Sequence, residues 1–205
     1  MKKTKKIAAL MLAAVMLVSA TVAVTVAYLT STTDVVNNTF TVGKVVITLD
    51  ETKVDEYGEN WVTEEEVSGE TVVTPVQDKK DADRTMGNEY KLVPGHNYKK
   101  DPTIHVDEES ENCWIFAEIT VNVPEGVIAD CSVNEGWTLV DENVYAWKEI
   151  VSAEDDIEVF DDFTVAGDAN VEQVTKDHAI TIKGYAVQAD NFATAQIAWN
   201  ATFGA

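Results

Sequence analysis

The sequence predicts an all-β protein, a jelly-roll-like β-sandwich with a short C-terminal helix and a long polar insertion. Three observations lead to this fold class. Apolar residues alternate with a period of two in most candidate elements, turn residues such as Pro94-Gly95 and Gly167-Asp168 separate these elements, and one segment near the C terminus has a helical period. Many short strands divided by turns are typical of sandwiches and jelly rolls.

The first predicted element is a strand over residues 41–49, in which Val45, Ile47 and Leu49 share one face. Residues 50–90, which follow, are polar and charged and show little periodicity. We interpret them as a long surface insertion that contains one hairpin at residues 61–76, since insertions in surface loops cost little stability.

The strand predicted over residues 113–123 has two different faces. One face is apolar along its whole length and consists of Cys113, Ile115, Ala117, Ile119 and Val121. The other face begins with Trp114 and Phe116 and becomes polar from Glu118 onward. This pattern predicts a strand that is buried on both sides at its start and solvated near its end.

The remaining elements complete the sandwich. Shorter strands are predicted at residues 71–76, 102–106, 137–140, 144–151 and 157–165, and a third long strand at 179–189. After it, helical periodicity predicts a short C-terminal helix whose buried face consists of Phe192, Ala195, Ala198 and Trp199. Thr194 is the expected N-cap, because its hydroxyl can accept a free N–H of the first turn.

The N-terminal residues have the pattern of a secretory signal peptide. Four lysines lie within residues 1–6, and residues 7–27 carry no charge. Small side chains at Thr25 and Ala27 predict cleavage after Ala27, with cleavage after Ala23 as the alternative. A retained membrane anchor is the rival interpretation, since 21 uncharged residues are long enough to span a bilayer. The predicted organisation is a signal peptide at 1–27, an extended segment at 28–39 and a β-sandwich domain at 40–205.

The charge balance excludes some partners. The full chain has 15 Lys and Arg residues against 36 Asp and Glu residues, and its net charge is −21. Removal of the signal peptide takes away four lysines and no acid, which leaves a net charge of −25. Like charge repels nucleic acid and anionic lipid, so neither is an expected partner.

The two cysteines, Cys113 and Cys131, allow two interpretations. In an exported protein they could form one disulfide that closes a short loop. Cys113 also begins an apolar strand, and a buried free thiol fits that position equally well. The sequence leaves both states open.

Motifs for catalysis and metal binding are missing from the sequence. His96, His105 and His178 are far apart, and neither HExxH nor GxSxG occurs. The acidic clusters at 107–111, 154–156 and 161–162 lack the spacing of a calcium loop, although weak Ca²⁺ binding stays open. We therefore predict no catalytic residues, no cofactor and no enzymatic activity.

Three blocks of sequence together resemble the camelysin/TasA family of exported proteins from Gram-positive bacteria. They are "VAYLTSTTDVVNNTFTVGKVVITLDE", "YKLVPGHNYKKDPTIHVDEESENCWIFAEITV" and "ITIKGYAVQADNFATAQIAW". The resemblance implies a jelly-roll sandwich, export through a dedicated signal peptidase and assembly into extracellular matrix fibres of biofilms. It also implies that the N-terminal segment of one subunit adds as a strand to the next. The metallopeptidase label used for part of the family finds no ligand pattern here.

The leading hypothesis is therefore a secreted subunit of matrix fibres that polymerises head to tail by strand addition. Its partner is another copy of the chain, with an accessory matrix protein left open, and its location is the extracellular matrix or cell surface. The predicted donor segment carries no proline and little charge, and its anchors are Tyr28, Leu29, Val35, Val36 and Phe40. Alternatively, these residues form a linker or the first strand of their own domain. Two other functions remain as hypotheses, a secreted metallopeptidase of the camelysin type and a membrane-anchored adhesin or binding module.

Overall fold

The computed structural model describes residues 43–204 of the chain. In this range it contains thirteen β-strands, two single turns of 3-10 helix and one α-helix. In chain order the elements are β1 (Ile47–Thr52), β2 (Trp61–Val67), β3 (Glu70–Val76), β4 (Arg84–Thr85), β5 (Asn97–Lys99), β6 (Thr103–Val106), β7 (Cys113–Asn122), β8 (Ile128–Asp130), β9 (Trp137–Asp141), β10 (Val144–Trp147), β11 (Asp156–Glu158), β12 (Asp162–Val165), β13 (Ala179–Gln188) and α1 (Ala195–Thr202), with the 3-10 turns at Lys79–Asp81 and Val171–Gln173.

The strands form three antiparallel sheets and a separate hairpin. The first sheet has the order β11-β6-β1-β4 and the second the order β13-β7-β10-β9. A small third sheet has the order β5-β12-β8, and β2 pairs with β3 in a two-stranded sheet that a single bridge from Trp61 to Val54 joins to the chain after β1. The longest ladder joins β7 to β13, where ten residue pairs run from Cys113 opposite Gln188 to Asn122 opposite Ala179. The prediction of an all-β, sandwich-like fold is confirmed.

The main core lies between the first and second sheets. Ile104 of β6 and Ile115 of β7 are fully buried there, together with Val159 and Phe160. The predicted inward face of the first strand is confirmed, since Val45, Ile47 and Leu49 pack against this core. Burial of such side chains stabilises the fold by about 1.5–3 kcal/mol each.

The C-terminal helix covers the outer face of the second sheet. Ala198 and Trp199 are its buried residues, and the Trp199 ring lies 5.2 Å from the ring of Phe116 on β7. The Trp199 indole Nε1–H donates to Asp141 Oδ2 at 2.9 Å. Thr194 is the N-cap and accepts a hydrogen bond from the backbone N–H of Ile197. The predicted helix, its apolar face and its cap are confirmed.

Strand β7 changes from buried to exposed along its length, as its sequence predicts. Residues 113–117 are buried on both faces, because the main core covers one side and the C-terminal helix covers the other. From Thr120 onward the strand is exposed, and Val121 retains 44% of its accessible surface. The sheet therefore extends past the end of the sandwich at this point.

Among the described residues, the strand predicted at 41–49 begins only at Ile47, and it continues to Thr52. Two further sequence predictions of strand bounds are also wrong. The single strand predicted at 157–165 is two strands, because the chain leaves β6 after Glu158 and joins β5 and β8 from Asp162. The strand predicted at 144–151 ends at Trp147, and only Val151 pairs further along, with Cys113. In both regions the apolar pattern continues while the hydrogen-bonding partner changes.

The insertion at 50–90 is more ordered than its composition suggests. The predicted hairpin is present as β2 and β3, which pair over seven residues each. In addition, β1 continues to Thr52 and pairs with β4 at Arg84 and Thr85, so the insertion returns to the edge of the first sheet. The insertion therefore begins and ends on neighbouring strands.

Candidate strand-docking site

Strand β13 forms an open edge of the second sheet. Its ten residues pair with β7 on one side, and within residues 43–204 no strand pairs with its other side. An unpaired edge of this length exposes backbone N–H and C=O groups that another extended chain can satisfy. This edge is therefore the candidate site for strand addition.

Neighbouring hydrogen bonds identify which backbone groups face outward from β13. Cys113 of β7 exchanges both backbone hydrogen bonds with Val151, and Ile119 donates to Asn143, so the odd residues of β7 point away from β13. In an antiparallel ladder, when the backbone N–H and C=O of one residue point away from the partner strand, those of the residue directly opposite also point away. The outward-facing groups on the free edge consequently belong to the even residues of β13, which are Ile180, Ile182, Gly184, Ala186 and Gln188.

The same even residues direct their side chains toward the main core. Ile180, Ile182 and Ala186 pack against it but are only half-buried, since no strand covers them at the edge. Gly184 has no side chain because the space is filled: a Cβ there would lie 3.3 Å from Ile104 Cδ1 and 3.4 Å from Ile47 Cδ1. The edge thus combines free backbone groups with a row of incompletely buried apolar side chains.

Among the residues that the structure describes, a second open edge lies on β1 of the facing sheet. The backbone N–H of Asp107 donates to Val46 O, so the even residues of β1 face β6 and the odd residues Ile47 and Leu49 face away. Strand β4 covers this side of β1 only at Glu51 and Thr52. The two sheets therefore both have unpaired edges beside the apolar residues that pack around Gly184.

The outer face of the docking edge is polar at its N-terminal end. A shallow cavity of about 380 Å³ is lined by Glu118, Thr120, Thr181, Ile182 and Lys183. Tyr185 closes one side, where its hydroxyl donates to Glu118 Oε2 at 2.6 Å and the Lys183 ammonium lies 4.6 Å from its ring centre. These groups give the edge polar contacts on one face and apolar contacts on the other.

The outer face of the first sheet carries a buried ionic network that the sequence did not predict. Asp101 is 1% exposed, and it accepts hydrogen bonds from the Thr52 backbone N–H at 2.8 Å and the Thr52 hydroxyl at 2.6 Å. The Lys79 ammonium lies 2.7 Å from Asp101 Oδ2 and 2.5 Å from Glu158 Oε2. A second buried ion pair, between Lys100 and Glu51, lies on the opposite side of β1, because Glu51 shares its face with Leu49. The network joins Lys79 of the insertion to Asp101 and to Glu158 on β11 of the first sheet.

His105 lies in the middle of this face and joins three strands. Its Nε2 is 2.9 Å from Asp50 Oδ1 on β1, and its Nδ1 is 2.5 Å from Asp156 Oδ1 on β11. Burial works to lower the pKa of His105, but the hydrogen bonds to the two carboxylates outweigh it, so the pKa is raised. The protonated imidazole then donates to both carboxylates, which only the charged form can do.

Glu158 has an unusual protonation state for a carboxylic acid. Burial raises the pKa of its carboxyl to about 7, the neighbouring Asp161 acts in the same direction, and Lys79 opposes them. The hydrogen bond with Glu158 lowers the pKa of Asp161, so the shared proton resides on Glu158. Both Glu158 and His105 therefore hold a proton more tightly in the folded state than in the unfolded chain.

We expect the free energy of unfolding to fall as the pH rises from 5.5 to 8.5. Raised folded-state pKa values give stability that is present at low pH and is lost as the pH passes through about 7 for Glu158 and above the ordinary histidine value for His105. Because Glu158 is partly exposed to solvent, its contribution to the loss of unfolding free energy is about 1 kcal/mol. Urea unfolding across this range measures it, and in the control Glu158→Gln only the part of the pH dependence that comes from His105 should remain. A wild-type profile as flat as that of the variant would contradict the assignment.

The sequence-predicted site residues lie in different places. The cleavage positions Ala23 and Ala27 and the donor anchors at 28–40 lie outside the described residues. Cys113 and Cys131 are both free thiols in the structure, and burial raises the pKa of each to about 11. Both pack against the main core, where the thiolate form that reacts is scarce at neutral pH.

Residues 43–204 contain neither a candidate metal centre nor a candidate membrane span. In this part of the chain no three His, Cys, Asp or Glu side chains are grouped so that they could hold a metal ion. His96 contacts the Tyr57 carbonyl and His178 the Thr175 backbone N–H, each in its own loop. No helix among the described residues is long and apolar enough to cross a membrane.

Comparisons of the chain with protein-family models, with curated proteins and with solved structures find no match.

Proposed function

We propose that the chain is a secreted structural subunit that assembles head to tail into extracellular fibres. In each contact, residues 28–40 of one copy add as a strand to the free edge of β13 in the next copy. The observation that carries the proposal is the ten-residue edge of β13, which no strand covers within residues 43–204. The signal-peptide pattern of residues 1–27 supports export and would free the segment at its N terminus.

The donor segment and the edge match in length and chemistry. Thirteen extended residues span about 43 Å, which is enough to cover the ten residues of β13 at about 3.3 Å each. Side chains alternate along a strand, so Tyr28, Val36 and Phe40 share one face of the donor. We expect this face to pack on the half-buried row of Ile180 and Ile182.

The energetics favour addition of an uncharged strand. Each backbone hydrogen bond that forms on the edge contributes about 0.5–1.5 kcal/mol, and burial of each apolar anchor adds about 1.5–3 kcal/mol. Asp34 is the only charged residue between 28 and 40, so the segment adds little to the repulsion between acidic subunits. The contact uses different surfaces on the two copies and therefore propagates as a filament when it does not close.

Deletion of residues 28–38 is expected to abolish fibres while the subunit stays folded. Electron microscopy of the concentrated, purified protein measures fibre yield, and near-ultraviolet circular dichroism measures folding. Fibres of normal yield from the truncated protein would exclude the donor mechanism.

A matched pair of substitutions tests the face of the donor. Val36→Asp places a charge against the apolar row and should reduce fibre yield at least about tenfold, because burial of an unpaired carboxylate costs more than 1.4 kcal/mol. Asn37→Asp adds the same charge to the opposite face and should leave most fibres intact. Equal effects of the two substitutions would contradict the assigned face.

A further inference from the structure

The hairpin of β2 and β3 exposes apolar side chains that the proposed fibre contact does not use. Its two-residue turn consists of Ser68 and Gly69, both with positive φ, which suits the twist of a tight hairpin. Beyond the turn, Val67, Val72 and Val73 retain 51%, 44% and 48% of their accessible surface. Val67 and Val72 lie on one face of the ribbon and Val73 lies on the other, so neither face of this hairpin is fully polar.

Within residues 43–204, the outer edge of β3 has no partner strand, and its free backbone groups can be identified. Val62 of β2 donates to Lys53 O and accepts from the Asp83 N–H, and the Glu64 N–H donates to Asp83 Oδ2. The even residues of β2 therefore point away from β3, and the residues opposite them on β3 point away from β2. These outward-facing residues are Thr71, Val73 and Pro75.

We propose that β3 is a self-association edge, at which two copies of the chain join by antiparallel pairing of β3 with β3 about a two-fold axis at Val73. In this register Val73 lies opposite Val73 and Thr71 lies opposite Pro75. The outward-facing backbone groups of Thr71, Val73 and Pro75 have six positions for hydrogen bonds between the two copies. Only four bonds form, because Pro75 of each copy has no N–H to donate. The contact is isologous and closes at two copies.

The distribution of charge on the hairpin favours a second copy of the chain as the partner and the antiparallel register with Val73 opposite Val73. Residues 71–76 carry no charge and are mainly threonine and valine, which pair well with their own kind across a ladder. The two-fold register places Glu70 opposite Val76, whereas a parallel arrangement would place Glu70 opposite Glu70. In the two-fold register, none of the four hairpin glutamates, three of which lie on β2, is therefore directly opposite another glutamate across the contact.

The predicted contact is weak for isolated subunits. A pair of seven-residue strands buries less than the ~1,000 Å² of a stable interface, and Pro75 removes two hydrogen bonds. Weak contacts become effective when many copies are arrayed, because each pairing raises the effective concentration of the next. The hairpin would then join filaments side by side, and this consequence alone rests on the proposed function.

Cysteine cross-linking of the full chain tests the pairing. The Val73→Cys variant should form a disulfide-linked dimer, because paired residues on the axis have Cα atoms about 5.5 Å apart. The control is Val67→Cys, an equally exposed position on the same hairpin that lies away from the axis. Burial of the native thiols, with pKa values of about 11, keeps their background reaction low.

The expected result is a rate of dimer formation at least about tenfold higher for Val73→Cys than for Val67→Cys, as the pairing holds the thiols at a millimolar effective concentration. Pro75→Thr, added to Val73→Cys, restores the missing N–H and should raise the rate further. Equal rates at positions 73 and 67, or a lower rate with Pro75→Thr, would overturn the proposal. Cross-linking needs only two copies, and the two positions belong to the same hairpin, so the comparison does not depend on fibre formation.

Discussion

Replacement of Ile182 by proline is expected to abolish fibre formation and leave the subunit folded. The Ile182 N–H faces away from β7, so its loss removes no hydrogen bond from the existing ladder. An added strand, however, loses that donor and meets the proline ring. One lost hydrogen bond and a steric clash together cost more than about 1.4 kcal/mol, which corresponds to at least a tenfold loss of fibre yield.

Two controls separate the docking edge from the fold. Ile182→Ala removes most of the side chain but keeps the N–H, so it should form fibres in greater yield than the proline variant. Thr181→Pro removes an N–H that faces β7 and should destabilise the subunit itself. Equal fibre yields from Ile182→Pro and Ile182→Ala would show that the β13 backbone is not the acceptor.

Replacement of Asp101 by alanine is expected to lower the free energy of unfolding by about 3–5 kcal/mol. Asp101 is almost fully buried, and its loss leaves Thr52 without its acceptor and Lys79 without the more deeply buried of its two carboxylate partners. The remaining partner of Lys79 is Glu158, whose pKa of about 7 makes it only partly ionised at neutral pH. The lost hydrogen bonds and the unbalanced charge act in the same direction.

Asp156→Ala is the matched control for the buried network. Asp156 lies on the same sheet face and pairs with His105, but its side chain is 64% exposed. Exposed pairs contribute about 0–1 kcal/mol, so urea unfolding should show a small change. Similar losses for Asp101→Ala and Asp156→Ala would contradict the assignment of Asp101 as the anchor of the insertion.

The local sequence pattern predicted those elements whose burial can be deduced from their own residues. The change from two apolar faces to one was visible in β7 itself, and the period of residues 192–199 identified the helix and the Thr194 cap. The segment 157–165 failed for a physical reason: Val159 and Phe160 are buried where the chain passes from one sheet to another, and alternation does not report such a change of partner.

The ionic network and the docking edge depend on contacts that are distant in sequence. Thr52 and Asp101 are 49 residues apart, and Lys79 belongs to a stretch whose composition is that of a solvated loop. A charged residue in such a stretch is usually exposed, so its burial could not be predicted without the partner. Likewise, β13 is an edge strand because of the order of strands in the sheet, which its own residues do not encode.

Residue-resolved hydrogen exchange of β13 tests the central claim most directly. In the monomer, the odd amides bond to β7 and should exchange slowly, whereas the even amides of Ile180, Ile182, Gly184, Ala186 and Gln188 should exchange rapidly. If residues 28–40 of a neighbouring copy pair with this edge, the even amides become as protected as the odd ones in fibres. Even amides that exchange equally fast in fibres and in monomers would show that no strand is added to β13.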